Sequence, residues 1–312
     1  MTLVSAMDIG GSHVTAATVE LATRSVRPGE TSREPLDAAG SAEEIVSAIA
    51  RCVARLPARP ASRWAIALPG PFDHVRGVGR YAGVGKFDAL CDVDLRAALA
   101  PYLHDAASVS FHHDADAFLL GEWWAGAARG HRVAAGITLG TGVGSSFLRD
   151  GRVVRDGPGV PPDGRVDLLR YAGVPLEETV SRRAIRRAYA QAAGGPLLDV
   201  REIAQRARQG DRAANDVFAR AYAALGTVLG PLLGAFAATI LVVGGSIAAS
   251  WDLVAEPLRA GLAGAGPGPV AVQPARNLAD APLLGAAYLA GGDAAPPQGR
   301  VPRAGSAADH RR

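Results

Sequence analysis

The sequence is poor in cysteine and lysine. Its 312 residues include two cysteines, Cys52 and Cys91, and one lysine, Lys86, which we interpret as a solvated loop cation. Two cysteines are too few for the disulfide framework of a small secreted protein, and the apolar, helical pattern around Cys52 favours a buried thiol. The N terminus also lacks the charged segment and cleavage site of a secretion signal. These absences predict a cytoplasmic protein.

The chain has no large excess of charge and lacks several common nucleotide-binding motifs. Its net charge of +3 is spread along the sequence, whereas binding to a phosphate backbone requires a concentrated basic surface. GxxxxGK followed by Ser or Thr, GxGxxG after the first predicted strand, and the HRD and DFG motifs do not occur. We therefore expect no nucleic-acid partner, and P-loop NTPases, dinucleotide-binding Rossmann domains and protein kinases are disfavoured.

One long apolar stretch has the composition of a membrane span. No charged residue occurs from Ala221 to Trp251. However, Pro231 and several glycines interrupt the stretch, and "TILVVGG" is a β-branched run that ends in glycines. This pattern favours a buried helix followed by a buried strand, and we expect no membrane partner.

The order strand, glycine-rich turn, strand occurs twice, at "MDIGGSHVTAATV" and at "GITLGTGVGSSFL". Each copy is followed by mixed strands and helices, and with 48% apolar residues the chain can bury a large core. Helices are predicted near residues 41–56, 93–103, 117–130, 176–208, 212 into the 230s, 250–262 and 282–290. The pattern predicts two related α/β domains that face each other.

Three glycine turns are candidates for phosphate binding. "DIGGS" and "LGTGVGSS" connect apolar strands, and "LVVGGSIAAS" is a buried strand that opens into a glycine loop. Glycine permits close approach of the backbone, so successive N–H groups can converge on phosphate oxygens, while Ser and Thr hydroxyls add donors. Each turn alone is weak evidence for phosphate binding. A helix that begins after the third turn would strengthen that evidence, because the N terminus of a helix attracts anions.

The segment "FHHDADAFLLGE" admits three interpretations: a metal cluster, a general base with its helpers, or a polar turn before a helix. Adjacent His112 and His113 on a strand point to opposite faces, which disfavours one ion shared with Asp114. Asp116 fits the cap of a helix that begins near Ala117. Asp114 could cap the same helix, although Asp116 fits that position better.

Taken in order, "MDIGGSHVTAATVE", "ALPGPFD", "HDADAFLLGE", "GITLGTGVGSSFLRDG", "ILVVGGSI" and "PLLGAAYLA" resemble the ROK family of sugar kinases in the actin-like ATPase superfamily. The resemblance implies a two-lobed α/β fold of the actin-like, ribonuclease H-like type with a cleft between the lobes. We expect an N-terminal lobe of residues 1–112 plus a helix at about 282–292, and a C-terminal lobe of residues 113–281. The Pro/Gly/Ala-rich tail, residues 293–312, is expected to be disordered.

The same resemblance implies ATP and Mg²⁺ as cofactors and a small sugar or cyclitol as partner, with transfer of the γ-phosphoryl group to a hydroxyl. Asp114 stands at the catalytic aspartate, where a carboxylate orients the hydroxyl and accepts its proton. The nucleotide-binding positions are Asp8, Gly10, Gly11, Ser12, Gly140, Thr141, Gly142, Gly144, Gly244, Gly245 and Ser246. The substrate-binding positions are Gly70, His113, Asp114, Asp163 and Glu177.

Departures from the family pattern bear on the substrate. His113 replaces the usual asparagine, and the cysteine-rich zinc motif and its histidine are absent, so we expect no structural zinc. Asp163 stands near the family's first sugar-binding glutamate, although Pro161 and Pro162 leave that alignment open. Carboxylates in a partly dry cleft favour a cationic amino group, which predicts an amino-glucose such as kanosamine, then a C7 cyclitol of the valiolone type, or glucose.

A rival interpretation is a sugar-sensing regulator without catalytic activity. Regulators of the family generally carry a helix-turn-helix domain before the first phosphate loop, and here that loop begins at Asp8. The sequence therefore favours the enzyme. It leaves the oligomeric state open, a homodimer included.

Overall fold

Two five-stranded sheets form the framework of the protein. The computed structural model describes residues 2–56, 61–103, 106–266 and 268–291. The predicted tail, residues 293–312, lies outside the described residues. The first sheet has the order β3-β2-β1-β4-β7, in which β1, β2 and β3 are antiparallel and β1, β4 and β7 are parallel. Its strands are β1 (Leu3–Ile9), β2 (His13–Glu20), β3 (Ser25–Pro35), β4 (Arg63–Leu68) and β7 (Ser108–His113).

The second sheet repeats the first. Its order is β10-β9-β8-β13-β14, again with an antiparallel meander on one side and parallel strands on the other. Its strands are β8 (Val133–Leu139), β9 (Val143–Arg149), β10 (Arg152–Val153), β13 (Ile240–Gly244) and β14 (Ala271–Pro274). The strand, glycine turn, strand repeat predicted from the sequence is therefore confirmed as the start of each sheet.

The remaining strands form two small hairpins. They are β5 (Phe72–Asp73) with β6 (Val78–Gly79), and β11 (Arg170–Tyr171) with β12 (Val174–Pro175). The second hairpin lies within residues 160–181, a segment that contains no cysteine.

Helices connect the strands and cover the sheets. They are α1 (Ala42–Ala54), α2 (Leu95–Leu99), α3 (Asp114–Ala125), α4 (Glu177–Val180), α5 (Arg182–Ala193), α6 (Val200–Arg208), α7 (Arg212–Phe236), α8 (Trp251–Gly264) and α9 (Ala281–Gly291). The predicted capping box of α1 is confirmed, because Ser41 accepts from the N–H of Glu44 and the Glu44 side chain accepts from the N–H of Ser41.

Two helix predictions need correction. The arginine-rich region at 176–208 is three helices, because α5 ends at a left-handed glycine, Gly194, and a new N-cap follows at Asp199. The helix predicted at 93–103 is limited to α2, whose first turn is capped by Asp94.

The apolar stretch that resembles a membrane span is divided between α7 and β13. Among the described residues, α7 is the helix with the length and apolarity to cross a bilayer, and 56% of its apolar window is buried. It packs closely against α8, where a β-carbon on Gly261 would lie 2.2 Å from the carbonyl oxygen of Ala223. The predicted buried helix followed by a buried strand is confirmed.

Helices α3 and α9 cross between the two sheets. A β-carbon on Gly285 would lie 1.7 Å from the carbonyl oxygen of Ala117, so only glycine permits this backbone contact. One apolar cluster joins both helices to residues of the first sheet, such as Val4, and of the second, such as Val242. The pair therefore forms the packed connection between the sheets.

Glu122 is a fully buried carboxylate in α3. It accepts hydrogen bonds from the backbone N–H groups of Ala127 at 2.6 Å, Arg276 at 3.0 Å and Asn277 at 2.7 Å. Its side chain thereby joins the end of α3 to the segment that leads into α9. Charge-assisted bonds to backbone donors satisfy a carboxylate that burial would otherwise destabilise.

We expect Glu122→Gln to lower the free energy of unfolding by about 1–3 kcal/mol, because the amide presents one acceptor oxygen to three donors and buries two N–H groups of its own. Urea denaturation monitored by circular dichroism measures the change. Glu43→Gln on the exposed side of α1 is the matched control and should shift stability by less than about 0.5 kcal/mol. Equal effects of the two substitutions would contradict the structural role of Glu122.

Candidate active site

The carboxyl ends of β1, β4 and β7 meet at one edge of the first sheet. In this parallel arrangement Asp8 is paired with Ala67, and Leu68 with His113. A β-carbon on Gly70 would lie 3.7 Å from Cδ2 of the His113 imidazole. The first glycine turn, the loop at Gly70 and the start of α3 therefore lie together, as the parallel order of the strands requires.

The first glycine turn is tightly held. The N–H of Gly10 donates to the carbonyl of His13 at 2.9 Å, and the N–H of Leu36 donates to the carbonyl of Ser12 at 3.0 Å. The Ser12 hydroxyl is exposed and lies 2.9 Å from Nδ1 of His13. The turn is thus fixed in the sheet while its hydroxyl faces solvent.

Two carboxyl groups, Asp8 and Asp114, influence each other at this edge. Burial, and to a lesser extent the Asp114 carboxylate, raise the pKa of Asp8 to about 7, while Arg33 acts in the opposite direction. Asp114 is the first residue of α3, and its Oδ1 accepts from the N–H of Ala115 at 2.7 Å. The raised pKa means that a cation near Asp8 would stabilise its ionised form.

His113 lies beside the candidate base. Its Nδ1 is 3.5 Å from Oδ1 of Asp114. That nitrogen is buried and has no hydrogen-bond partner among the described residues. His113 thus lies between Gly70 and Asp114, two other predicted substrate positions, and its ring is free to bond to a ligand or to the carboxylate.

The second glycine turn lies close to the first turn of α3. Within the turn, the N–H of Gly140 donates to the carbonyl of Gly142 at 3.0 Å. A β-carbon on Gly144 would lie 3.2 Å from Cβ of Ala115 and 2.4 Å from Oγ1 of Thr138, so a side chain at 144 would push the turn away from α3. The structure therefore brings the second turn to the residue that follows Asp114.

The third glycine loop follows β13, which is the parallel neighbour of β8. Gly245 has a φ of +81°, and a β-carbon there would lie 2.3 Å from the carbonyl oxygen of Leu139. Only glycine fits both the dihedral angle and the close contact. The Ser246 hydroxyl lies 3.7 Å from the Cβ position of Gly140, so the second and third loops are adjacent.

Glu177, predicted to contact substrate, reaches the second glycine turn. Its Oε2 accepts from the N–H of Val143 at 3.1 Å and would lie 2.8 Å from a β-carbon on Gly142. Glu177 begins α4, so the short helix is directed at the turn. The contact with Gly142 was not anticipated from the sequence.

Asp163, the other predicted carboxylate, is exposed in a short 3₁₀ turn with a φ of +55°. Ser145 holds this loop to β9, because its hydroxyl donates to the carbonyl of Gly164 at 2.5 Å and accepts from the N–H of Val166 at 3.0 Å. The hydrogen bonds of Ser145 thus hold the loop against β9.

Arg165 links the two predicted carboxylates electrostatically. Its hydrogen bond to Asp167 raises the pKa of the guanidinium most, and Glu177 and Asp163 raise it further. The distance from the Arg165 guanidinium to Oδ2 of Asp167 is 2.6 Å. Asp163 and Glu177 therefore share a positively charged neighbour, although the structure shows no direct contact between them.

The prediction that Asp116 caps the helix is wrong. Helix α3 begins at Asp114, its N-cap residue His113 makes no side-chain capping bond, and Asp116 is a buried residue of the first turn. The Asp116 carboxylate accepts from the Ser146 hydroxyl at 2.7 Å and forms an ion pair with Arg155. Asp116 thus joins α3 to β9 and to the segment after β10.

A cavity of about 460 Å³ lies beside this ion pair, with His74, His112, His113, Asp116 and Arg155 among its lining residues. Burial, and to a lesser extent His74, lower the pKa of His112 to about 4 although Asp116 opposes them, so the ring is neutral at pH 7. Its Nε2 lies 2.8 Å from the Ser110 hydroxyl. Across the four described ranges, no three His, Cys, Asp or Glu side chains form a group that could hold a metal ion.

Tyr81 and Arg182 hydrogen-bond to loops of the candidate site, although the sequence did not single them out. The fully buried Tyr81 donates its hydroxyl to the carbonyl of Pro69 at 2.6 Å, which holds the loop that carries Gly70. Burial raises the pKa of this phenol, and Asp114 adds to the effect. Tyr81 lies in a glycine-rich loop and Arg182 in a run of arginines, where neither is distinguished from its neighbours.

Comparison with known proteins identifies a family. The model of the ROK family matches residues 4–292. A glucokinase from Thermotoga maritima is 32% identical over 216 residues, which cover 62% of this chain and 67% of the relative. An N-acetyl-D-glucosamine kinase from Pectobacterium carotovorum is 29% identical over 187 residues, covering 52% of this chain and 61% of the relative.

Solved structures share the whole fold. A ROK family glucokinase from Streptomyces griseus, in complex with glucose and AMPPNP, is 26% identical with a TM-score of 0.77, covering 93% of this chain and 100% of that one. A ROK hexokinase from Thermus thermophilus is 27% identical with a TM-score of 0.72, covering 93% and 98%. The two-lobed actin-like fold predicted from the sequence is confirmed by these structures.

Proposed function

The chain belongs to the ROK family and is an ATP-dependent sugar kinase, and on that premise we propose that it phosphorylates the primary hydroxyl of a hexose or hexose-like substrate. The observation that carries the proposal is the meeting of Asp114, Gly70 and the first glycine turn at one sheet edge. A base, an acceptor loop and a phosphate loop are the parts that phosphoryl transfer requires.

Asp114 is the proposed general base. The acceptor hydroxyl oxygen attacks the γ-phosphorus of ATP, the bond to the β,γ-bridging oxygen breaks, and ADP leaves with that electron pair. The hydroxyl proton passes to the Asp114 carboxylate, which lies at the start of α3 beside His113. His113, 3.5 Å away, orients the carboxylate or the acceptor through its unpartnered Nδ1.

Magnesium fits the residues at this edge. The raised pKa of Asp8 marks a carboxyl group that a cation would stabilise in its ionised form, and oxygen donors are the ligands that Mg²⁺ prefers. Asp8 would hold the ion or one of its water molecules. When bound with ATP, Mg²⁺ neutralises charge on the phosphate oxygens.

The glycine loops are the proposed nucleotide site. Gly10, Gly11 and Ser12 form the first loop, and the second and third loops lie next to each other at Gly140 and Ser246. Their backbone donors and hydroxyls suit an anionic phosphate chain. The two sheets are proposed to belong to separate lobes, residues 1–112 with 282–292 and residues 113–281, with the nucleotide between them.

The proposed acceptor is an amino-glucose such as kanosamine. Asp163 and Glu177 lie near Arg165, which is already paired with Asp167, and Asp114 is a third carboxylate at the site. A protonated amino group would supply the remaining positive charge. Glucose is the second candidate, because relatives include glucokinases, and a valiolone-type cyclitol is the third.

We expect kcat/KM for kanosamine to exceed that for glucose by about tenfold or more, because an ion pair in a partly desolvated site is worth at least about 1.4 kcal/mol. ATP consumption with glucose, glucosamine, kanosamine, mannose and valiolone measures the preference. Glucosamine controls for the position of the amino group. Preference for glucose by orders of magnitude would contradict the role given to the carboxylates.

A cytoplasmic location is proposed with this activity. Cys52 and Cys91 are both free thiols, which suits a reducing compartment where ATP is available.

A further inference from the structure

Arg182 bridges the second and third glycine loops. It is the first residue of α5, and its backbone N–H donates to the carbonyl of Gly140 at 2.9 Å. Its guanidinium NH2 group donates to the Ser246 hydroxyl at 3.3 Å. Gly140 and Ser246 belong to loops that follow neighbouring parallel strands, so one side chain contacts both loops at the same edge of the second sheet.

The guanidinium of Arg182 makes only weak contacts with acceptor groups of the described residues. Besides the bond to Ser246, its NH1 group lies 4.0 Å from Oδ2 of Asp199, at the limit of an ion pair. Its Nε is buried and has no hydrogen-bond partner in the described parts of the chain. The side chain is nevertheless 40% exposed, so a ligand can reach its terminal nitrogens.

The other arginines of α5 are engaged elsewhere. Arg183 and Arg187 both form ion pairs with Glu178. Arg186 donates to the carbonyl of Leu198 at 2.8 Å and to that of Leu197 at 3.1 Å. Arg182 therefore differs from its neighbours in sequence, because its donors are directed at the two loops and lack a strong acceptor there.

We propose that Arg182 binds the phosphate chain of the donor nucleotide, on the nucleoside side of the transferred group. The proposal rests on the function proposed above, which puts the nucleotide at these loops. A guanidinium presents a planar fork of donors that matches two phosphate oxygens, and the charge-assisted bonds are stronger than its present bond to a neutral hydroxyl. The contact with Ser246 places the fork beside the third glycine loop, which the family resemblance puts on the adenosine side of the nucleotide.

Binding and kinetics of Arg182→Ala test the proposal in the full chain. We expect the Kd for ADP and the KM for ATP to rise about tenfold to a hundredfold, because charge-assisted hydrogen bonds are lost. The Kd for adenosine and the KM for the sugar should change by less than about twofold, since neither contact involves the phosphate chain. Arg182→Lys should lie between wild type and alanine, because lysine keeps the charge without the fork.

Arg183→Ala is the matched control. Arg183 lies in the same turn of α5 as Arg182, but its guanidinium is paired with Glu178. It should leave the ADP, ATP and adenosine constants within about twofold of wild type. Alanine at 182 keeps the backbone bond to Gly140 and favours the helix, and thermal unfolding verifies that both variants fold.

Unchanged ADP binding in Arg182→Ala would overturn the proposal, and so would equal weakening of adenosine or an equal loss in Arg183→Ala. If the wild-type protein still phosphorylates sugar with ATP in any of these cases, only the role of Arg182 is overturned and the proposed function stands. A wild-type protein that neither binds ADP nor phosphorylates any sugar would instead overturn the proposed function, and the role of Arg182 with it.

Discussion

Asp114→Asn is expected to lower kcat about a thousandfold and to change the affinities for ATP and sugar only a few-fold. The amide keeps the size of the side chain and its bond to the N–H of Ala115, but it cannot accept the proton of the acceptor hydroxyl. General-base catalysis contributes about 10²–10⁴ to such rates. Coupled measurement of ADP release gives kcat, and calorimetry gives the affinities.

Asp216→Asn, on the exposed side of α7, is the matched control for the loss of one carboxylate and should leave kcat within about twofold. An unchanged kcat in Asp114→Asn would remove this residue as the base. If sugar binding also persisted in a wild-type protein with no turnover, the sugar-sensing interpretation would replace the enzyme.

Asp8→Asn is expected to stabilise the unliganded protein while impairing catalysis. The pKa of Asp8 is about 7 in the folded protein because of burial and then Asp114, whereas the ordinary value for an aspartate side chain is 3.8. At a pH between 3.8 and about 7, the Asp8 carboxyl is ionised in the unfolded chain but still protonated in the folded protein. The wild-type free energy of unfolding therefore falls as pH rises from about 4 to 7, and the loss is complete above pH 7.

The substitution removes this pH-dependent cost. The gain in stability should be near zero below pH 4, grow through the window, and reach on the order of 2–4 kcal/mol at pH 8. Urea denaturation at pH 4, 6 and 8 without nucleotide measures the trend. A gain that does not vary with pH would show that Asp8 ionises as readily in the folded protein as in the unfolded chain. Activity should fall because the proposed magnesium ligand is lost.

Periodicity and glycine turns predicted the strands that carry the site. Strands β1, β8 and β13 are apolar runs that end in glycine, and the structure places them where the repeat required. Strand β3 could not be predicted in this way, because it is a largely exposed edge strand that contains Pro28 and Gly29. Its place is fixed by pairing with β2, which a local pattern does not reveal.

The spacing of residues in the sequence did not show which aspartate, Asp114 or Asp116, is free to react. Asp114 and Asp116 look alike in the sequence, yet one lies at the open end of α3 and the other is buried against Ser146 and Arg155. The partners of Asp116 are 30 and 39 residues away in the chain. Tertiary contacts of this kind decide which carboxylate is free to react, and one sequence alone contains no signal for them.

The position of α9, the last described helix, determines when the core on the first sheet can form during synthesis of the chain. This helix packs against β1 and β4, which are encoded at the beginning of the chain. A ribosome synthesises α9 after all the strands of both sheets, so the part of the first sheet that α9 covers stays open while the intervening residues are made. The core on that face of the first sheet can therefore be completed only after α9 has emerged.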